Sequence, residues 1–454
     1  MTIDEAIGIV ETVLAKGRLS KVEEIIFRQS WEGLSYIEIA KSSGYDTGYL
    51  KDTGSSLWRS LSQAFGDKVS KNNFQLILKR HAQTQTSTVS IKPNVPSSHQ
   101  EQTTQCDWGE AVDTSIFYGR NAELTTLEQW IVSDRARLVM LLGMGGIGKT
   151  TLSIKLAEQI QQKFTHVIWR SLRNAPTIQD ILTDLLAHLS NGQEIDLPES
   201  VEGKISLLIS YLRTWRCLVI LDNVETILRA GDRAGNYCPG YECYGQLFRC
   251  IAETTHQSCL VLTSREKPRG LATYEGVALP VRSLYLPGLT TEAAQYIFQA
   301  KGLCISSEQG KVLVERYSGN PLALKITATN IQELFDGNVC QFIYQGAALF
   351  GDVWQLLEQH FERLSDLEKH IMYVLATRKA WVSMPELLDD IAFVSLRDLL
   401  EALESLKVRS LIEKATLTTP EKTSPCFMQQ PAVMEYVSSK LLEQTNLALA
   451  ALTC

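Results

Sequence analysis

RLVMLLGMGGIGKTTLSIK, residues 137–155, decides the fold of this chain. Leu138 to Leu142 form a continuous apolar run with the length and Leu/Val character of a strand buried on both faces. Gly143, Gly145, Gly146 and Gly148 then break the run, and a helical pattern begins at Thr150. The spacing Gly143-x-x-x-x-Gly148-Lys149-Thr150 fits the P-loop pattern. Glycines there let backbone N–H groups turn inward around phosphate oxygens where a Cβ would block the approach, and the helix adds its positive N-terminal end. The loop from Gly143 through Gly145, Gly146, Ile147 and Gly148 is thus expected to cradle phosphates. Lys149 reaches the β- and γ-phosphates, the Thr150 hydroxyl takes a place on Mg²⁺, and Thr151 stands near the α-phosphate. An accidental glycine turn is the competing reading, and the flanking strand and helix count against it.

Outward from this stretch the same architecture continues. His166 to Trp169 reads as a second strand, and a helix is expected around Thr177 to Leu189, which together predict a parallel sheet covered on both faces. CLVILDNVE, residues 217–225, is a buried strand that delivers Asp222 to the sheet's C-terminal edge, where nucleotides bind. That is the Walker B arrangement, with the carboxylate on Mg²⁺; a helix cap is the plain alternative. CLVLTSREKP, residues 259–268, is another buried strand, and Arg265 after it needs an anion, either a γ-phosphate or an acid in a salt bridge. Upstream, FYGRNAELTTLEQWI offers Asn121 as the cap of a helix bearing Leu124, Leu127, Trp130 and Ile131.

A length of 454 residues is long for one domain and suggests about three. The net charge of −7, with both signs mixed throughout, gives no whole-chain field for nucleic acid or anionic membrane. MTIDEAIGIV lacks a basic n-region, and no apolar run approaches the roughly 18 residues of a membrane span, so a cytoplasmic protein without membrane contact is expected. The ten cysteines include no pair at CxxC spacing. A zinc site from Cys238, Cys243, Cys250 and His256 is conceivable, but reduced thiols are the preferred reading.

Residues 1–80 read as a helical domain. Ser35 caps a short helix carrying Ile37 and Ala40, Gly44 breaks it, and Asp46 starts another towards Trp58 and Leu61, in the order of a helix-turn-helix. Thr47, Tyr49, Leu50 and Lys51 would then lie where such domains reach base edges. Eleven basic against ten acidic residues over 1–80 make no basic face, so a protein-interaction role is preferred to DNA contact. Residues 81–112, rich in Gln, Thr, Ser and Pro, are expected to be a flexible linker.

FYGR, GMGGIGKTT, LVILDNVE, VLTSR, LPGLTTEAAQYIF and GNPLALK stand in the order and spacing of the NB-ARC family, which the chain resembles over residues 113–350 and more loosely over 351–440. These are signal-transduction NTPases of the STAND class, among them plant disease-resistance proteins, the animal apoptosome scaffold and many bacterial proteins. The resemblance implies an α/β P-loop NTPase with a parallel sheet over 113–280, a helical ARC subdomain over 281–350, and a winged helix with its tail over 351–454. The N-terminal helix-turn-helix resembles one found ahead of such modules in bacterial, especially cyanobacterial, proteins, where WD40 or TPR repeats usually follow the winged helix; no such repeat is found in this sequence, so the sensor is expected to be missing or supplied by another chain.

Site roles follow from the resemblance. Phe117, Tyr118 and Arg120 resemble the segment that brackets adenine and ribose, Asp222 the Mg²⁺ carboxylate, Arg265 the sensor arginine, and Pro321 the proline that packs on adenine. In two places the sequence departs from the family. Asn223 stands where a second acid usually follows the Walker B aspartate; Glu225, two residues on, is the substitute general base, and slow hydrolysis is expected. The family's winged helix presents a Met-His-Asp motif whose histidine touches the β-phosphate of ADP; here Gln429-Gln430-Pro431 stands in its place, with Gln430 keeping a donor.

The expected function is an ADP/ATP-binding switch, with Mg²⁺, that exchanges nucleotide, associates with itself in the ATP state and answers to a separate sensor or effector protein. The alternative is a transcription regulator whose helix-turn-helix grips DNA. Ordinary turnover ATPase work in a motor or transporter is the least favoured reading.

Overall fold

The computed structural model describes residues 19–31, 36–65, 104–190, 197–345, 351–391, 394–418 and 423–453, with isolated positions between 3 and 78. Two compact units divide it, Met1–Gln100 and Glu101–Cys454.

In the first unit, α1 (Lys21–Trp31), α2 (Tyr36–Ser43) and α3 (Thr47–Phe65) pack around Ile26, Phe27, Ile39, Leu57, Trp58 and Leu61. Gly44, at φ 74°, makes the turn between α2 and α3, and Asp46 caps α3 by accepting the Gly48 and Tyr49 N–H groups at 2.8 and 3.1 Å. This is the helix-turn-helix order expected. One expectation changes: Leu50 is wholly buried, because its position on α3 belongs to the core stripe with Leu57 and Leu61. Only Tyr49 and Lys51 of the proposed base-reading set are exposed, and Asp52 and Arg59 beyond them mix the signs. The part of the expected linker from 81 to 103 lies outside the described residues.

The second unit is built on a six-stranded parallel sheet. Its strands are β1 (Gln105–Asp107), β2 (Leu138–Leu142), β3 (His166–Ser171), β4 (Cys217–Asp222), β5 (Cys259–Ser264) and β6 (Val281–Tyr285), in the spatial order β1-β3-β4-β5-β2-β6. Every residue of β2, β4 and β5 is buried, as continuous apolar runs require in a sheet covered on both sides. Alternation then sorts them. Leu138, Met140 and Leu142 join one core with helices α6 (Ile178–Leu189), α7 (Val201–Thr214) and α8 (Glu242–Glu253). Val139 and Leu141 join the other, with α4 (Asn121–Glu128) and α5 (Lys149–Ile160). Each fully buried Leu or Ile contributes about 1.5–3 kcal/mol relative to exposure.

The sheet is wider than expected at both edges. β1 falls inside the stretch read as linker, pairing with β3 in the register Gln105↔His166 and tied there by Arg170 to Asp107 at 2.5 Å. β6 falls beyond the boundary set at residue 280 and pairs with β2, Leu138↔Val281. Edge strands have one neighbour and a half-wet face, so QCD and VRSLY lack the apolar run that marks the central strands. A smaller correction concerns α4, whose N-cap is Arg120 at φ 70° with no side-chain cap, rather than Asn121.

After β6 come α9 (Thr291–Ala300), α10 (Ser307–Arg316), α11 (Pro321–Leu334), α12 (Val339–Tyr344), α13 (Asp352–Phe361), α14 (Asp366–Arg378), β7 (Val382–Ser383), α15 (Met384–Asp390), α16 (Leu396–Val408), β8 (Ile412–Thr418), β9 (Thr423–Gln429) and α17 (Pro431–Thr453). The order β7-β9-β8 makes an antiparallel three-stranded sheet beside α14 to α16, the winged-helix arrangement. The segments expected as an ARC subdomain and a winged helix share one hydrophobic core, in which Phe298, Leu313 and Leu324 are continuous with Leu375, Leu403 and Tyr436. Met144 of the glycine loop is buried in that same core.

Candidate functional site

The loop between β2 and α5 turns on positive φ angles at Gly143, Gly146 and Gly148, of 148°, 76° and 98°. At Gly148 the left-handed backbone, not crowding, demands glycine; at Gly145 crowding does, since a Cβ there would meet His360 Nε2 at 2.6 Å and Arg265 Cζ at 3.1 Å. Lys149 opens α5 and is buried, its Nζ donating to the carbonyls of Gly143 and Met144 at 2.8 and 3.0 Å. Burial pulls its ammonium down to about 8, with Glu225 and Asp222 opposing and Arg265 adding to the fall.

Beside Lys149, Thr150 Oγ1 donates to Asp222 Oδ1 at 2.8 Å, and Thr263 Oγ1 donates to the same oxygen at 2.5 Å. Burial raises the Asp222 carboxyl above its usual range against those two hydrogen bonds. A hydroxyl and a carboxylate side by side are the hard-oxygen donors that suit Mg²⁺, which would also offset the cost of the buried carboxylate.

On the other side of the loop a cavity of about 220 Å³ is lined by Phe117, Tyr118, Arg120, Gly148, Thr151 and Pro321 among others. Arg120 is buried, donates to Ile147 O at 3.2 Å and pairs with Glu123 at 2.9 Å, so it joins the aromatic segment to the loop. Tyr118 stacks on Tyr296 of α9 at 5.6 Å. Pro321 is the first residue of α11, whose cap is Asn320: its Oδ1 accepts from Leu322 and Ala323, and its Nδ2 donates to Gly145 O at 2.9 Å. Residues separated by two hundred positions thus line one cleft at the C-terminal edge of the sheet, where a parallel sheet binds its ligand.

Three expected site residues meet partners within the chain. Arg265 and Glu225 pair with each other at 3.1 Å, so the arginine's acid partner lies within the chain and the substitute base is engaged. Asn223, at φ 63°, holds a left-handed turn and donates its N–H to Thr263 Oγ1 at 3.1 Å. Gln430 stands ahead of α17 and lines a second cavity, with Lys407 and Lys414, rather than the one at Phe117; its carbonyl accepts the Met434 N–H and so starts the helix. Gln429 is fully buried and donates to Met372 O at 2.7 Å.

Comparison with known proteins agrees with this geometry. The NB-ARC domain family matches residues 120–229, and a vWA-MoxR associated protein N-terminal HTH family matches residues 1–81. Residues 120–229 are therefore an NB-ARC domain, and residues 1–81 an N-terminal HTH domain. An uncharacterized WD repeat-containing protein of Nostoc sp. is 53% identical over 351 residues, covering 74% of this chain and 27% of that protein. A probable disease resistance protein of Arabidopsis thaliana is 24% identical over 300 residues, covering 58% of the chain and again 27% of that protein. The chain therefore spans about a quarter of the length of these curated relatives. Among solved structures, a Walker-type ATPase of Pyrococcus abyssi is 15% identical with a TM-score of 0.47, covering 71% of this chain and 96% of that one. Among the described residues, no helix is long and apolar enough to cross a membrane.

The histidine that meets the glycine loop of this NB-ARC protein is one that sequence reasoning missed. His360, near the end of α13, is buried and accepts the Gly145 N–H through Nε2 at 2.8 Å. Its neighbours are Lys149 of α5, Arg265 after β5, Arg363 after α13 and Arg409 after α16. Burial first, and these four cations with it, hold the His360 imidazole well below its ordinary value, so it is neutral when folded. The stabilisation from this neutral contact is complete above the unfolded-state value of about 6.5 and is withdrawn as pH falls below it. Between that value and the lower folded one, this single group should cost up to about 1.4 kcal/mol per pH unit. Urea unfolding of wild type and His360→Gln from pH 8 to pH 5 checks it: the variant should lose less stability on acidification, and parallel curves would contradict the assignment. No signal in HFERL marks this residue, because its role depends on a loop 215 positions away.

Proposed function

We propose that this NB-ARC protein is an ADP/ATP-binding molecular switch that exchanges nucleotide and self-associates in the ATP state. One arrangement carries the reading: the cavity beside Phe117, Tyr118 and Pro321 opens onto the glycine loop, and the loop itself is gripped by Asn320 of the helical segment and His360 ahead of the winged helix. A nucleotide in that cleft would touch the glycine loop and the helical segment directly and the segment bearing His360 through the loop, so its identity would bias how those parts pack. Phe117, Tyr118, Arg120 and Pro321 would take the base and sugar, residues 145–151 the phosphates. Thr150 and Asp222 would hold Mg²⁺, which supplies charge neutralisation at the phosphates. Input would come through a separate sensor or effector protein.

Hydrolysis should be slow. Asn223 is no base, and Glu225 already pairs with Arg265, so neither stands ready to activate water. Turnover well below the roughly 1–100 per second of kinases is expected. A steady-state phosphate-release assay checks it, and a rate within that range would overturn this assignment of Glu225.

Calorimetric titration with ADP and with ATP plus Mg²⁺ tests the switch as a whole. Saturable binding of both, with different protease sensitivity of the chain in the two complexes, is the expected result. Binding without any such difference would contradict a switch, since a ligand with equal affinity for two states shifts nothing. The outward face of α3, which mixes Lys51 and Arg59 with Asp52, gives the DNA-binding alternative no support.

A further inference from the structure

The first half of the glycine loop is held from outside the sheet. Gly145 gives its N–H to His360 at 2.8 Å and takes the Asn320 amide on its carbonyl at 2.9 Å. Gly146 O accepts the Leu322 N–H at 3.2 Å, and Met144 is buried in the core of the helical segments. The second half is placed otherwise, with Gly148 and Thr151 facing the cavity that also holds Phe117 and Pro321.

That division orders a nucleotide's phosphates. With a base in the cavity, the phosphate chain starts at Thr151 and Gly148 and runs towards Lys149 and Gly145, so the last phosphate of a triphosphate is the one that arrives at Gly145. Loop N–H groups are what phosphate oxygens need, and this N–H is already committed to an imidazole lone pair.

We propose that His360 is the specificity-determining residue by which this site distinguishes a nucleoside triphosphate from a diphosphate. The inference rests on the nucleotide reading above and names the residue that gives the two nucleotides unequal affinity. A diphosphate leaves the Gly145–His360 contact in place. A triphosphate gains the Gly145 N–H only by displacing His360, whose lone pair opposes a phosphate oxygen at that position. Displacement strains α13 and therefore Arg363, three residues on, which is bound to Glu266 at 2.6 Å and to the carbonyls of Glu225 and Leu228. The closed packing of the second unit thus favours the diphosphate, and the terminal phosphate acts against it through one side chain.

The test is calorimetric titration of the full chain with ADP and with a non-hydrolysable ATP analogue, both with Mg²⁺, for wild type, His360→Ala and His360→Gln. In His360→Ala the analogue's affinity relative to ADP should rise about tenfold, with ADP itself changed less than about threefold. His360→Gln, which keeps an acceptor of similar reach, should stay near the wild-type ratio and guards against a folding defect in the alanine variant. An unchanged ratio in His360→Ala, or an equal shift for both nucleotides, would overturn the inference while leaving the nucleotide site intact. Wild-type protein that binds neither nucleotide would overturn the nucleotide reading and this inference together.

Discussion

Lys149→Ala is expected to weaken binding of both ADP and ATP by at least about a hundredfold, or about 2.7 kcal/mol. The buried ammonium sits at the mouth of α5 with its Nζ on the Gly143 and Met144 carbonyls, beside Asp222 and Glu225, and is the one lysine among the residues of the glycine loop. Its cost of burial is offset only weakly by those partners, so it is poised to gain from a phosphate. Truncation removes that charge where the dielectric is low and leaves Asp222 without the cation beside it, while Glu225 keeps Arg265. Fluorescent nucleotide titration checks the loss; binding within threefold of wild type would sink the phosphate-site assignment.

The second large effect is on stability. Glu266, 1% exposed, receives Arg363 at 2.6 Å and Arg409 at 3.1 Å, and Arg409 also lies 3.7 Å from Glu368, so one carboxylate neutralises two arginines where the NB-ARC sheet meets the winged helix. Arg409 further donates to the carbonyls of Arg363 and Asp232 at 2.9 and 2.8 Å. Glu266→Ala would leave the buried Arg409 with only the more distant Glu368 and the half-buried Arg363 without its acid, a defect worth about 3 kcal/mol. Urea unfolding should show that loss, or a separate early transition for the winged-helix segment. A cost under about 1 kcal/mol would mean that the network is solvated and holds nothing closed.

What the sequence made legible follows burial. β2 was readable to the residue, and β4 and β5 from their first residue, because central parallel strands must be apolar throughout; the glycine loop was readable because phosphate cradling fixes both residue type and spacing. β1 and β6 escaped because an edge strand needs no apolar run. The cavity residues Phe117, Tyr118, Arg120 and Pro321 were placed through family resemblance, and the structure brings them to one cleft. His360, Asn320 and Glu266 were invisible for a different reason: each acts on a partner far along the chain, and no local period records a contact made only after the helical segments fold back on the sheet. Leu50 erred the other way, since its place near the start of α3 looked like an outward position until the stripe it shares with Leu57 put it in the core.

The most direct test of the switch is to denature the purified protein, identify by chromatography the nucleotide it releases, and measure the mass of the native protein before and after ATP plus Mg²⁺. The account predicts ADP at close to one per chain and a larger assembly after exchange. Protein that releases no nucleotide and keeps the same mass with ATP would contradict it.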